Sequence, residues 1–152
     1  MAAEYSANAA QVVPVSGSVI FTETPVPCNR GLIYHRDDSG LFRVANRFFR
    51  QNVTQCWRRN TNYLVGFHAN IAVPEGETVP ETGISLAIAV DGEIDPSSTM
   101  IFLPAAAEDL GNVGAEIIVT VPCLCSCTSV SVRNTSTVPV TVQNANLVID
   151  IA

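Results

Sequence analysis

At 152 residues, the chain is long enough to close one core without disulfide staples. It is 47% hydrophobic and 14% charged, poorer in charge than the ~25% of a typical soluble domain, so much of its surface is either rich in Ser, Thr and Asn or covered by partners. The net charge of −6 argues against free nucleic acid as a general partner, no apolar run approaches the ~18 residues of a membrane span, and Met1–Ala10 carries Glu4 with no basic n-region, so no secretory signal is expected.

Residues 1–10 are small and polar and read as an N-terminal arm, mobile or docked on a neighbour, with 11–152 as a single domain. Short β patterns then follow: Gln11–Val15, Ser18–Thr22, and Gly31–Arg36 with Asp37-Asp38-Ser39-Gly40 as its turn before Leu41–Ala45. The longest alternating run places Tyr63, Val65, Phe67, Ala69, Ile71 and Val73 on one face. After a Pro/Gly/Glu loop come Ile84–Val90, an Asp91-Gly92 hairpin signal and a short Thr99–Leu103 strand. Pro104–Gly111 is a single helical turn or a compact loop. Val113–Val121, Thr128–Arg133, Val138–Val142 and Leu147–Ile151 complete nine or ten short strands, the spacing of an all-β sandwich or barrel.

The last strands alternate small polar and β-branched residues with almost no charge. An exposed edge that neutral invites pairing, so the pattern suggests an oligomer, with Val130, Val132, Val140, Val142, Leu147 and Ile149 as its interface.

Positive charge is confined to one stretch. There is no lysine, and residues 30–59 hold seven arginines against Asp37 and Asp38, a net +5; the remainder holds Arg133 against twelve acids, a net −11. Arginine is the side chain of planar, bidentate contacts. With aromatics among them, Arg43, Arg47, Phe48, Phe49, Arg50, Trp57, Arg58 and Arg59 read as a partner-binding surface, an Arg/aromatic insertion at 43–60. Single-stranded nucleic acid would also use basic and aromatic residues together, but the acidic remainder disfavours a long polyanion. An acidic protein partner meets no such obstacle.

Catalytic chemistry finds no support. No nucleophile elbow, phosphate loop or dinucleotide fingerprint occurs, Asp91, Glu93 and Asp95 are read as turn acids, and no cofactor is expected. Cys123, Cys125 and Cys127 would line one face of a strand about 6.5–7 Å apart, a poor spacing for zinc and marginal for a disulfide; they are read as reduced, buried thiols, and no metal is expected. His35 and His68 are read as strand histidines rather than ligands. The sequons at Asn52-Val53-Thr54 and Asn134-Thr135-Ser136 are read as accidental.

Several stretches carry a resemblance: Y-S-A-N-A-A-Q-V-V from Tyr5, C-N-R-G-L-I-Y-H-R-D-D-S-G-L-F from Cys28, L-A-I-A-V-D-G-E from Leu86, V-P-C-L-C-S-C-T-S-V-S-V-R-N-T-S from Val121 and V-Q-N-A-N-L-V-I from Val142. Together they resemble a family of small proteins of phages and prophages of gut anaerobic Gram-positive bacteria, itself similar to the trimeric jelly-roll heads of the tumour necrosis factor type and to the C-terminal domains of spore-surface collagen-like glycoproteins. The resemblance implies a ten-stranded jelly-roll β-sandwich and a homotrimer. It also implies a structural role in the virion, assembled in the host bacterial cytoplasm, as a capsid decoration, cement or head-fibre protein docked on the major capsid protein or another virion protein. The insertion at 43–60 departs from that family, and no collagen-like repeat accompanies it. The alternative expectation is an adhesin module for a host-surface glycan, for which Tyr34, Tyr63 and Trp57 are the candidate aromatic platform beside Tyr5.

Overall fold

The computed structural model describes residues 2–48, 59–123 and 128–152. Twelve strands are present, with a single 3-10 turn at Pro96–Ser98 as the only helical element among the described residues. They form two antiparallel six-stranded sheets.

The first sheet contains β1 (Ala2–Ala7), β2 (Gln11–Val13), β3 (Glu23–Val26), β6 (Thr61–Ala72), β10 (Gly111–Val121) and β12 (Val140–Ile151). Their order is β10-β6-β12-β1-β3, with β2 also paired to β12. The second contains β4 (Ile33–His35), β5 (Phe42–Val44), β7 (Ile84–Val90), β8 (Glu93–Ile94), β9 (Met100–Phe102) and β11 (Thr128–Asn134). Its order is β4-β5-β11-β7-β8, with β9 also on β7.

The core lies between the sheets and follows the period-2 pattern of the strands. Tyr63, Val65, Phe67, Ala69, Ile71 and Val73 all point into it. Tyr5, Phe21, Phe42 and Phe67 meet edge-on, and His35 stacks flat on Phe42 with ring centroids 4.2 Å apart. The Asp91-Gly92 hairpin forms as expected, both residues taking positive φ (52° and 79°), as a two-residue type I′ turn requires.

Three expectations change. Residues 2–7 are not an arm: β1 is an inner strand, paired along its length with β12 on one side and with β3 on the other. Ala3, Tyr5 and Ala7 are buried, and the Tyr5 ring packs on His35 and Phe42. The two C-terminal segments are one strand, β12, whose register shifts between Gln143 and Asn146 where Asn144 takes a φ of 54°. The stretch from Ser18 to Thr22 makes only the isolated bridges Ser18–Arg133 and Phe21–Ser39, although Val19 and Phe21 are buried.

Candidate functional site

The six residues assigned to an oligomer interface cannot form one in this fold. Val130, Val132, Val140, Val142, Leu147 and Ile149 are all 0% exposed and fill the subunit's own core. Strand alternation explains the error: the neutral strands carry two faces, and the β-branched one turns inward.

The opposite face of the first sheet is the surface left to solvent. Across β10, β6 and β12 the register aligns Ile118 with Leu64 and Asp150, Glu116 with Gly66 and Val148, and Gly114 with His68 and Asn146. Leu64, Ile118 and Val148 are 37%, 55% and 37% exposed, a cluster of large apolar side chains on one flat face. Gly66 and Gly114 lack side chains, and beside them a shallow depression of about 480 Å³ opens, rimmed by His68, Glu116, Asn146 and Val148. Of the acids on this face, Glu4 accepts a hydrogen bond from the Asn146 side chain, and one Asp150 carboxylate oxygen accepts from the Ile151 backbone N–H.

The arginine-rich surface lies on the second sheet. β4 is an edge strand and pairs only with β5, placing Tyr34 opposite Arg43. Arg43, assigned to the insertion, is thus a strand residue with its side chain exposed. The insertion proper begins after Asn46, which is 1% exposed and ties its two ends together. Asn46 Nδ2 donates to the backbone oxygens of Arg59 and Val121, both at 2.8 Å, and its Oδ1 accepts from Phe48 N–H at 2.8 Å. Arg47 N–H donates to Thr61 Oγ1 at 3.0 Å. The Arg47 and Arg59 guanidinium carbons lie 4.7 and 5.2 Å from the centre of the Phe48 ring. The structure therefore brings Arg47, Phe48 and Arg59 together, with Arg43 on the adjoining strand. Phe49, Arg50, Trp57 and Arg58 lie outside the described residues.

Of the candidate aromatic platform, Tyr63 is 0% exposed and its hydroxyl donates to the Ala45 carbonyl, and Tyr5 is also buried. Burial, with the nearby Cys28 sulfur second, pushes both phenols up to about 12. Tyr34, at 67% exposure, stays on the surface, and Trp57 lies outside the described residues.

The cysteine expectation is corrected. Cys123 is buried and disulfide-bonded. β10 ends at Val121, so Cys123 lies beyond the strand and the in-strand spacing that disfavoured a disulfide does not apply. Cys56, Cys125 and Cys127 lie outside the described residues. His35 sits on the second sheet among core rings and His68 on the outer face of the first, so the two histidines do not meet. Among the described residues no three His, Cys, Asp or Glu side chains gather in a metal-binding arrangement. The sequon residue Asn134 is 2% exposed; its amide donates to the Val13, Pro14 and Val138 carbonyls, so it presents no acceptor surface. Asn52-Val53-Thr54 lies outside the described residues.

Sequence reasoning missed Asn46 and Thr61 as the clamp of the insertion, and Arg30, Tyr34 and Arg36 as members of its surface. Only the alternation of Arg30-Leu32-Tyr34-Arg36 signalled the latter, and it was masked by the charge count.

No family model and no curated protein matches the sequence. Solved structures do match in shape. The Eiger tumour necrosis factor of S. frugiperda aligns over 100% of this chain and 92% of its own, with a TM-score of 0.62 and 12% identity. The globular domain of the zebrafish complement 1qA protein aligns over 97% of this chain and 92% of its own, with a TM-score of 0.59 and 12% identity. At that identity the likeness is one of architecture: the chain is an all-β jelly roll of the tumour necrosis factor and complement 1q type.

Proposed function

We propose that this chain is a non-enzymatic structural subunit of a phage particle, a capsid decoration, cement or head-fibre protein that docks as a homotrimer. The virion placement rests on the sequence resemblance. The trimer rests on one observation: the outward face of β10, β6 and β12 carries Leu64, Ile118 and Val148 around a glycine-lined depression, on a subunit whose core is already complete without them. Identical copies hide such a face by burying its large apolar side chains against one another. Two surfaces then divide the work. The face of the first sheet joins the copies, and the arginines about Phe48 meet the shell, where three copies multiply modest single contacts.

The test is sedimentation of the purified protein. Wild type is expected to run as a trimer, and Leu64→Glu with Ile118→Glu as a folded monomer, since both side chains point outward. A wild-type monomer at micromolar concentration would remove the trimer. Separately, Arg47→Glu with Arg59→Glu is expected to reduce incorporation into particles; undiminished incorporation would clear those residues of docking.

The adhesin reading retains Tyr34 as its exposed ring among the described residues. Bound hits on a glycan array, together with low copy number per particle, would favour it over decoration.

A further inference from the structure

Beyond the insertion, β4 and β5 carry a pattern of their own. Outward positions run from Leu32 through Tyr34 on β4 to Arg36 just after it, and from Leu41 through Arg43 on β5 to Ala45, with Arg30 and Arg47 in the turns beyond. The two lines are in register, because Tyr34 pairs with Arg43 and Ala45 N–H donates to the Leu32 carbonyl. Two shallow pits open along this ribbon. One, of about 380 Å³, is lined by Tyr34, Arg36, Ser39, Leu41 and Arg43. The other, of about 370 Å³, is lined by Arg30, Leu32, Arg47 and Phe48. Each therefore sets apolar or aromatic surface between guanidinium groups. Asp37 and Asp38, in the turn beyond Arg36, are the acids of this stretch.

We propose that this ribbon is a binding site for an extended, carboxylate-rich segment of a partner protein. The proposal rests on the docking reading above and extends it to Arg30, Tyr34, Arg36 and Leu41. The extended part of the ribbon is short, Ile33–His35 paired with Phe42–Val44, so it offers an extended peptide about three residues of parallel track, with Arg36 at its end and Arg30 in the turn before it. An extended peptide also presents alternate side chains to one side, as Leu41, Arg43 and Ala45 do here. Carboxylates meet the guanidinium forks in pairs, and the intervening side chains meet Leu32, Tyr34 and Leu41. A nucleic acid fits less well. Successive bases need successive open rings, whereas the Phe48 ring already carries two guanidinium groups, and the rest of the chain is strongly acidic. An acidic polysaccharide would find Tyr34 as the one open ring of the ribbon.

The intact protein can be titrated with three labelled probes: a ten-residue peptide of alternating Glu and Ala, a uronic-acid hexasaccharide and a ten-nucleotide oligo-dT. The peptide is expected to bind most tightly and to weaken with salt. Arg36→Glu with Arg43→Glu is expected to weaken it at least about tenfold with an unchanged melting temperature. Tyr34→Ala is expected to weaken it while leaving the salt dependence in place. No binding of the peptide, equal binding by the double variant, or tighter binding of the saccharide or oligonucleotide would overturn the site. Particle incorporation separates this from the docking reading. Ribbon variants that bind peptide normally, while Arg47→Glu with Arg59→Glu stays off particles, would sink the ribbon and spare the docking. Lost peptide binding in ribbon variants, with normal incorporation of both sets, would do the reverse.

Discussion

Asn134 shows how one buried amide can hold several segments at once. Its Nδ2 donates to Val13, Pro14 and Val138 oxygens at 3.0–3.3 Å, and its Oδ1 accepts from Ser136 N–H at 2.8 Å. Replacing it with alanine leaves buried backbone groups without partners, so Asn134→Ala is expected to lower stability by about 2–4 kcal/mol, read by urea unfolding. Tyr5 and Tyr63 supply a pH test. Both phenols are raised to about 12 in the fold, from 10 when unfolded. The unfolded chain therefore loses these protons first, and the stability they contribute is full below pH 10 and is lost as pH climbs toward 12. Unfolding midpoints measured from pH 9 to 12 should fall across that window, and Tyr5→Phe with Tyr63→Phe should flatten the fall. The two differ in how far the sequence signalled their depth. Tyr63 lay in a clear alternating run, but Tyr5 lay in a segment too small and polar to suggest a core.

At the scale of the strand, β1 and β12 depend on each other. β12 lies between β6 and β1, so removing residues 2–7 would strip the pairing from one side of the strand that joins the sheet together. A chain beginning at Asn8 is expected to be insoluble or to lack a cooperative melt; a stable, soluble product would restore the arm. Period-2 alternation made most of the strands legible, along with the Asp91-Gly92 turn and the fold class. It did not reveal which face of each strand turns inward, because in β12 both faces are nearly free of charge: Val140, Val142, Leu147 and Ile149 point in, while Thr141, Val148 and Asp150 point out. The partner surface was legible only as a charge count. That count drew attention to the insertion and away from Tyr34 with its neighbours Arg36 and Arg43, which only the β4–β5 register brings side by side.

For the whole molecule, the two surfaces lie on different sheets: the apolar face on β10-β6-β12, the arginines on the β4-β5 edge. Changes to one should therefore leave the other working. Leu64→Glu with Ile118→Glu is expected to abolish oligomers yet retain the subunit's affinity for the acidic peptide, measurable by the same titration; joint loss would mean that the arginine site requires the assembled form. The order of the first sheet has a further effect, on timing. Ala2 faces Asp150 across the ladder, so β1 meets β12 only after some 140 intervening residues have been made. Until then β1 has only β3 to pair with and its other edge stays open, a state in which crowded nascent copies can join wrongly. Translation rate and chaperone supply, more than the finished subunit's stability, would then govern how much usable protein a producing cell accumulates.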